Sequence, residues 1–413
     1  MGRRPRDLSS FAVRLLTNPA GDRNRAYGPS ERGILSHARH AEAQREISSW
    51  PGYRPTMLVP LTGLAASAGL AAIWYKDESA RFGLKAFKAL GGAYAVQLIL
   101  AREVRRRTGL AQVSAQELMV GRFRDTVCQL TVTCATAGNH GRSVAWGAEL
   151  FGCRCVIYLP AVTSQHREAA IAAHGAEIVR TTGNYDEAVR RCDEDARRFG
   201  RFVVSDTSYP GYMEIPRDVM QGYTVMVAEA LEQLPHGERP SHVFVQAGVG
   251  GLAAAVCAYL WEARGAERPI LVVVEPDAAD PLFRSAAAGR PSPVPGEYQT
   301  IMAGLAAGEV SLLAWGILEK GADAFVTIPD EAAAATMRLL AEGVAGDPPI
   351  VAGESGAAGL AGALAVLQNS SAREALRLGS DSRLLVFGTE GATDPESYKT
   401  IVGRSADDVA SKT

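Results

Sequence analysis

One pattern limits this chain's fold more than any other. Short β-branched runs such as "CRCVIYLP" and "ILVVVEP" alternate with helix-like segments. These segments run to about ten to fifteen residues. The runs are nearly continuous in apolar residues, which suits strands buried on both faces. Strand–helix alternation of this kind builds parallel sheets with helices on either side. A length of 413 residues favours two lobes over one. The expected fold class is therefore α/β, with two open, mostly parallel lobes and a ligand in the cleft between them. The division expected is 1–90 with 222–413 as a large lobe and 91–221 as a small one. In such sheets, ligands meet the loops that leave the carboxyl ends of strands.

The strands expected include "AAIWYKDES", "TVCQLTVTCAT", "AEIVRTT", "RFVVSD", "HVFVQAG" and "RLLVFGTEG". The first sixty or so residues read as polar and irregular, with "NPAGDRNRAYGPSERG" as loop. A formal net charge of −2 argues against nucleic acid or a membrane held by bulk charge. No apolar stretch is long enough to span a bilayer. The basic start "MGRRPRDLSSFAVRLL" lacks the apolar run of a signal peptide, so a cytoplasmic protein is expected. The six cysteines form no CxxC pair and the seven histidines no HExxH, so no metal is expected.

Four post-strand loops carry chemistry. In "KDESARFGLKAFKALGGAY", Lys88 lies between Phe87 and an apolar helix start. A lysine pressed against apolar surface is expected to have a lowered pKa and to serve as an amine nucleophile that forms Schiff bases with carbonyls. In "TCATAGNHGRSVAW", Gly138 and Gly141 let the backbone approach a ligand, and Asn139 offers an amide N–H. In "QAGVGGLAAAV", Gly248, Gly250 and Gly251 stand between a strand and a helix, where main-chain N–H groups cradle phosphate. No GK[ST] follows, so this is not a Walker loop. The strict GxGxxG fingerprint fails at Ala253, although a looser form admits alanine, so a nicotinamide enzyme is weighed too. In "FGTEGATDPE", the Thr389 hydroxyl either stabilises a turn or faces a ring nitrogen. One cofactor accounts for all four loops: pyridoxal 5′-phosphate, its aldehyde on Lys88, its phosphate on the glycine loop, its ring hydroxyl on Asn139 and its pyridine nitrogen on Thr389. A neutral hydroxyl there moderates the electron sink and favours elimination over transamination. A dinucleotide enzyme leaves Lys88 unexplained.

The sequence resembles the tryptophan-synthase-β-like, fold type II pyridoxal-phosphate enzymes, and within them the diaminopropionate ammonia-lyase family. The resemblance rests on "YRPTMLVPL", "YKDESARFGLKAFKALGGAYAV", "TAGNHGRSVAW", "NYDEAVR", "DTSYPGYMEIPRDVMQGYTVM", "QAGVGGLAAAV", "TIMAGLAAGE", "GESGAAGL" and "GTEGATD", which run through most of the chain. It implies a cytosolic homodimer that converts a small amino acid, 2,3-diaminopropionate, to pyruvate and ammonia. It implies that Lys88 is the Schiff-base lysine and the base for the L-substrate, and that Phe87 packs near the cofactor ring. Gly248, Val249, Gly250, Gly251 and Leu252 would form the phosphate cup, with Glu354 close to the cofactor. Asp186 would lie near the substrate's β-amino group. The loop residues Thr136, Ala137, Gly138, Asn139 and His140 would border the substrate, with loop N–H groups on its carboxylate.

The chain departs from the family at three places. Ala137 stands where the family usually has aspartate, the residue expected to act on the D-substrate and to help recognise the β-ammonium. Lys85 stands where asparagine is usual, either solvated or adding a cation near the site. Met57 replaces a common proline. Two readings of the function follow. One is an α,β-eliminating ammonia-lyase selective for the L-isomer. The other is a β-elimination or β-replacement on a different amino acid, as in serine and threonine dehydratases, with Ala137 marking the change.

Overall fold

The computed structural model describes residues 11–136, 138–183, 185–296 and 298–411, so Ala137 lies outside the described residues, as does the side chain of Asp186. Among the described residues there are eleven strands: β1 (Arg14–Thr17), β2 (Met57–Pro60), β3 (Ala72–Asp77), β4 (Thr131–Ala135), β5 (Arg154–Leu159), β6 (Glu177–Arg180), β7 (Phe202–Val203), β8 (His242–Gln246), β9 (Ile270–Pro276), β10 (Ala324–Ile328) and β11 (Arg383–Gly388). They form a seven-stranded sheet, ordered β1-β10-β9-β8-β11-β3-β2, and a four-stranded sheet, ordered β6-β5-β4-β7.

The chain forms two compact units. The larger contains the described residues of Met1–Ser36, Pro55–Ala80 and Met226–Thr413, and the smaller His37–Arg54 and Arg81–Val225. The expected division differs from this at three segments. Residues 37–54, residues 81–90 with Lys88, and residues 222–225 belong to the smaller unit. The helix His37–Ser48 is tied there through Glu46, which accepts from Gln97 Nε2 at 2.8 Å and from the Ala115 N–H at 2.8 Å.

In the large sheet the five central strands run parallel, and β1 and β2 pair antiparallel at the two edges. Strands β8 and β10 are buried at every residue, as continuous apolar runs require. The edge strands "RLLT" and "MLVP" end in exposed residues. The small sheet is parallel throughout.

Two expected segments are redrawn. In "TVCQLTVTCAT" the strand is Thr131–Ala135 alone, because Arg124–Val127 closes a helical turn. In "NPAGDRNRAYGPSERG", Pro29–Ile34 is a helix. Proline at its start needs no donor there, and Glu31 Oε2 accepts from the Gly28 N–H at 3.0 Å.

The "ALGGAY" segment is a steric requirement of the smaller unit. A Cβ at Gly91 would lie 2.7 Å from Val219 O, and one at Gly92 would lie 2.0 Å from Ser143 Oγ. The helix Ala89–Thr108 thus packs at backbone distance from Glu214–Glu232 on one face and closely on Asn139–Phe151 on another. Gly222 completes the first contact, since its Cβ would lie 1.9 Å from Leu90 O. That oxygen is main chain and cannot move aside. Gly222→Ala is expected to lower unfolding stability by about 3 kcal/mol, the upper part of the range for overpacking. Chemical denaturation would measure it, and a loss below about 0.5 kcal/mol would contradict the close approach.

Candidate active site

In the smaller unit, Lys88 sits at the N-terminus of the helix Ala89–Thr108. Its Nζ donates to Asp206 Oδ2 at 2.6 Å. The side chains of both residues are about four-fifths buried. The Lys88 ammonium also lies 5.3 Å from the centre of the Phe87 ring and 5.8 Å from that of Tyr223, and the two rings are 4.6 Å apart. Phe87 is therefore a wall of the lysine's pocket.

The expected lowering of the Lys88 pKa is not what the structure gives. Burial does push it down, but the Asp206 carboxylate outweighs burial, and the net displacement is upward. Asp206 moves the other way. Burial favours its neutral form, yet the Lys88 charge holds its carboxyl well below the usual range. The apolar neighbours at the start of the helix were legible, but the carboxylate 118 residues away was not.

His140 completes this cluster. Its Nε2–H donates to Val204 O at 2.7 Å, and its Nδ1 lies 4.0 Å from Asp206 Oδ2. Burial, and then the charge of Lys88, lower its pKa against the opposing pull of Asp206. Burial thus favours the neutral ring, whose Nε2 carries the hydrogen given to Val204 O.

The loop after β4 is held from within. Thr136 Oγ1 accepts from the N–H groups of Gly138 at 3.1 Å and Gly141 at 3.3 Å, and the Thr136 N–H donates to Tyr158 O at 3.0 Å. The N–H groups of Thr136 and Gly138 are thus engaged within the loop. Asn139 begins the helix Asn139–Phe151. Lys85 is exposed, with φ +56°. Asparagine tolerates that left-handed conformation better than lysine does. A backbone preference therefore accounts for the usual asparagine, with no need for a changed substrate.

In the larger unit, two loops leave the carboxyl ends of the adjacent parallel strands β8 and β11. Between β8 and the helix Gly251–Arg264, Gly250 has φ +99°. Val249 O accepts from the Ser311 N–H at 2.9 Å, which braces the loop. Among the described residues, no acceptor meets the N–H groups of Gly248, Val249 or Gly250. Those of Gly251 and Leu252 open a helix, where N–H groups lack internal partners. Unengaged main-chain donors between a strand and a helix suit a phosphate. At the end of β11, Thr389 is buried, and its Oγ1 accepts from Gln246 Nε2 at 2.8 Å. Glu354 is buried at the start of the helix Glu354–Gln368 and accepts from Ser397 Oγ.

An amine in an aromatic pocket, a donor-rich glycine loop and a buried hydroxyl are the donor set that pyridoxal phosphate needs. The model of the pyridoxal-phosphate dependent enzyme family matches residues 49–389. The chain belongs to that family. It is an α/β enzyme of fold type II that uses pyridoxal phosphate. It is 40% identical to the diaminopropionate ammonia-lyase of Escherichia coli (strain K12) over 385 residues, covering 92% of this chain and 95% of that one. The crystal structure of holo diaminopropionate ammonia-lyase from Escherichia coli superposes with a TM-score of 0.87 at 38% identity, covering 95% of this chain and 97% of that chain. The same enzyme holding an aminoacrylate–PLP azomethine reaction intermediate superposes with a TM-score of 0.84 at 38% identity, again covering 95% and 97%.

Sequence reasoning missed Asp206 and Tyr223 as site residues. Asp206 follows β7, a parallel neighbour of β4, so the post-strand rule that selected the Asn139 loop applies to it equally. Tyr223 lies in "MQGY", and its neighbour Gly222 marks the close helix contact that brings it to Phe87.

Proposed function

We propose that this chain is an ammonia-lyase that converts 2,3-diaminopropionate and water to pyruvate and two molecules of ammonia, with the L-isomer preferred, acting as a cytoplasmic homodimer. The observation that carries the reading is Lys88, an amine with an acidic partner at 2.6 Å, in a chain so similar to diaminopropionate ammonia-lyase. Bound pyridoxal phosphate supplies the electron sink for charge developing at the substrate's Cα.

The chain's own residues do the rest. Lys88 Nζ would hold the aldehyde of the bound cofactor, and its free amine would take the substrate's Cα proton. Asp206 positions Nζ for that transfer. The N–H groups of Gly248, Val249, Gly250, Gly251 and Leu252 hold the phosphate. Asn139 addresses the ring hydroxyl, Thr389 the ring nitrogen, and Glu354 lies close to the ring. Phe87 and Tyr223 keep water from Nζ. Asp186 is assigned to the substrate's β-amino group. His140 braces the Asp206 loop rather than touching substrate, and Thr136 caps its own loop.

Ala137 sets the stereochemistry in this reading. With no carboxylate at that position, the D-isomer has no base opposite Lys88. Loss of a general base costs about 10²–10⁴-fold, so L-diaminopropionate is expected to turn over at least about a hundredfold faster than the D-isomer. Ala137→Asp should raise D-isomer turnover. Release of the keto acid, pyruvate from both isomers and from serine and 2-oxobutanoate from threonine, tests the substrate and its stereochemistry. Equal rates on the two isomers would overturn the selectivity, and turnover of serine or threonine in place of diaminopropionate would favour the dehydratase-like alternative.

A further inference from the structure

Gln246 is the last residue of β8, immediately before the glycine loop, and is 1% exposed. Its Nε2 lies 2.9 Å from Ser355 O, 2.9 Å from Phe387 O and 2.8 Å from Thr389 Oγ1. Two of these partners are carbonyl oxygens, which only accept, so the nitrogen must face them and the amide cannot be turned over. Close packing fixes it further, since a Cβ at Gly359 would lie 2.7 Å from Gln246 Oε1. An amide nitrogen has no lone pair with which to accept. Its two hydrogens are shared among these three oxygens and Gly356 O at 3.4 Å, and the contact with Thr389, the shortest of the four, can run only from N–H to Oγ1. The threonine proton cannot be given back to Gln246, and among the described residues Oγ1 makes no other hydrogen bond.

We propose that Gln246 is a positioning residue that occupies a lone pair of Thr389 Oγ1 and turns the hydroxyl proton toward the cofactor's ring nitrogen, which is thereby held unprotonated. This rests on the reading of Thr389 given above and adds what that reading lacks, the direction of the hydrogen bond. A threonine on its own could donate to the nitrogen or accept from its protonated form. With Gln246 behind it, donation is favoured.

The test uses holoenzyme rebuilt with pyridoxal phosphate labelled with nitrogen-15 in the ring. The ring resonance of the unaltered protein should sit at the unprotonated position and stay there across roughly pH 6–9, because a donor aimed at the nitrogen disfavours its protonation. A resonance that titrates in that range overturns the proposal without any variant. Gln246→Met and Gln246→Asn both remove the contact and should make the resonance move with pH. Their turnover should fall about three- to tenfold, the usual worth of one hydrogen bond. If either variant folds and keeps a resonance identical to that of the unaltered protein while Thr389→Val shifts it, Gln246 has no such role and the Thr389 reading stands. If Thr389→Val leaves the resonance unmoved, the Thr389 reading itself fails. Should neither glutamine variant fold, the pH series on the unaltered protein decides.

Discussion

Lys88→Ala should lower pyruvate formation from diaminopropionate by about 10³-fold or more. The size follows from the absence of a stand-in at Nζ. His140 is neutral, but its Nε2–H is committed to Val204 O, and its Nδ1 faces Asp206. Asp206 is held well below the usual carboxylate range, so it is a poor base. Lys88→Arg sharpens the test. Arginine keeps the cation that Asp206 needs but does not release a proton near neutrality. It should retain much of the stability and none of the turnover. Turnover of either variant within tenfold of the unaltered protein would remove Lys88 from the chemistry.

Asp206→Asn should have the next largest effect, and in three measurements. Removing one partner of a buried pair costs about 3–5 kcal/mol. Because a fifth of each side chain is exposed, about 1–3 kcal/mol is expected for the cofactor-free protein. Turnover should fall about a hundredfold, the scale expected when a reacting group is displaced by about an ångström. The third measurement is the rate at which cofactor-free protein takes up pyridoxal phosphate. Only the uncharged amine can attack an aldehyde. With Asp206 gone, burial of Lys88 is opposed by Tyr223 alone, and its pKa falls. Uptake by the variant should then speed up at neutral pH, its pH profile moving to lower pH. A profile that overlays that of the unaltered protein would show that the pair does not govern the lysine.

The same pair sets a pH window for the cofactor-free protein. Asp206 is depressed from its ordinary 3.8, so its stabilising contribution is whole above that value and lost as pH falls through the folded one. Lys88 is raised from 10.5, so its contribution is whole below that value and lost as pH rises through the folded one. The pair therefore supports the fold fully between these limits, and Asp206→Asn should flatten both flanks.

Much of this site was legible because it obeys one rule. Parallel strands written as unbroken apolar runs point to their own carboxyl ends, and Lys88, Asn139, the Gly248–Leu252 loop and Thr389 all follow such strands. What stayed hidden was pairwise. A sequence shows that Lys88 has Phe87 beside it, but not that Asp206 closes on it. It shows a free-looking loop at Thr136–Asn139, but not that Thr136 Oγ1 and Tyr158 O have already taken two of its N–H groups. The edge strands "RLLT" and "MLVP" escaped notice because four residues with two exposed ends carry too little alternation to register.

The order of the large sheet also bears on how the chain is made. Its edge strand β1 leaves the ribosome early yet pairs with β10, and Arg14 meets Thr327 across a separation of 313 residues. Strand β3 likewise waits for β11, the last of the described strands to be synthesised. The four strands of the small sheet, by contrast, all fall between Thr131 and Val203 and are complete long before β11 emerges. The smaller unit can thus fold on the growing chain, whereas β1 waits for β10, and the local β2–β3 pair is left with an open edge until β11 is made. Nascent chains halted before β11 should therefore depend on chaperones, and they should be cut by protease at the β2–β3 pair while the small sheet resists.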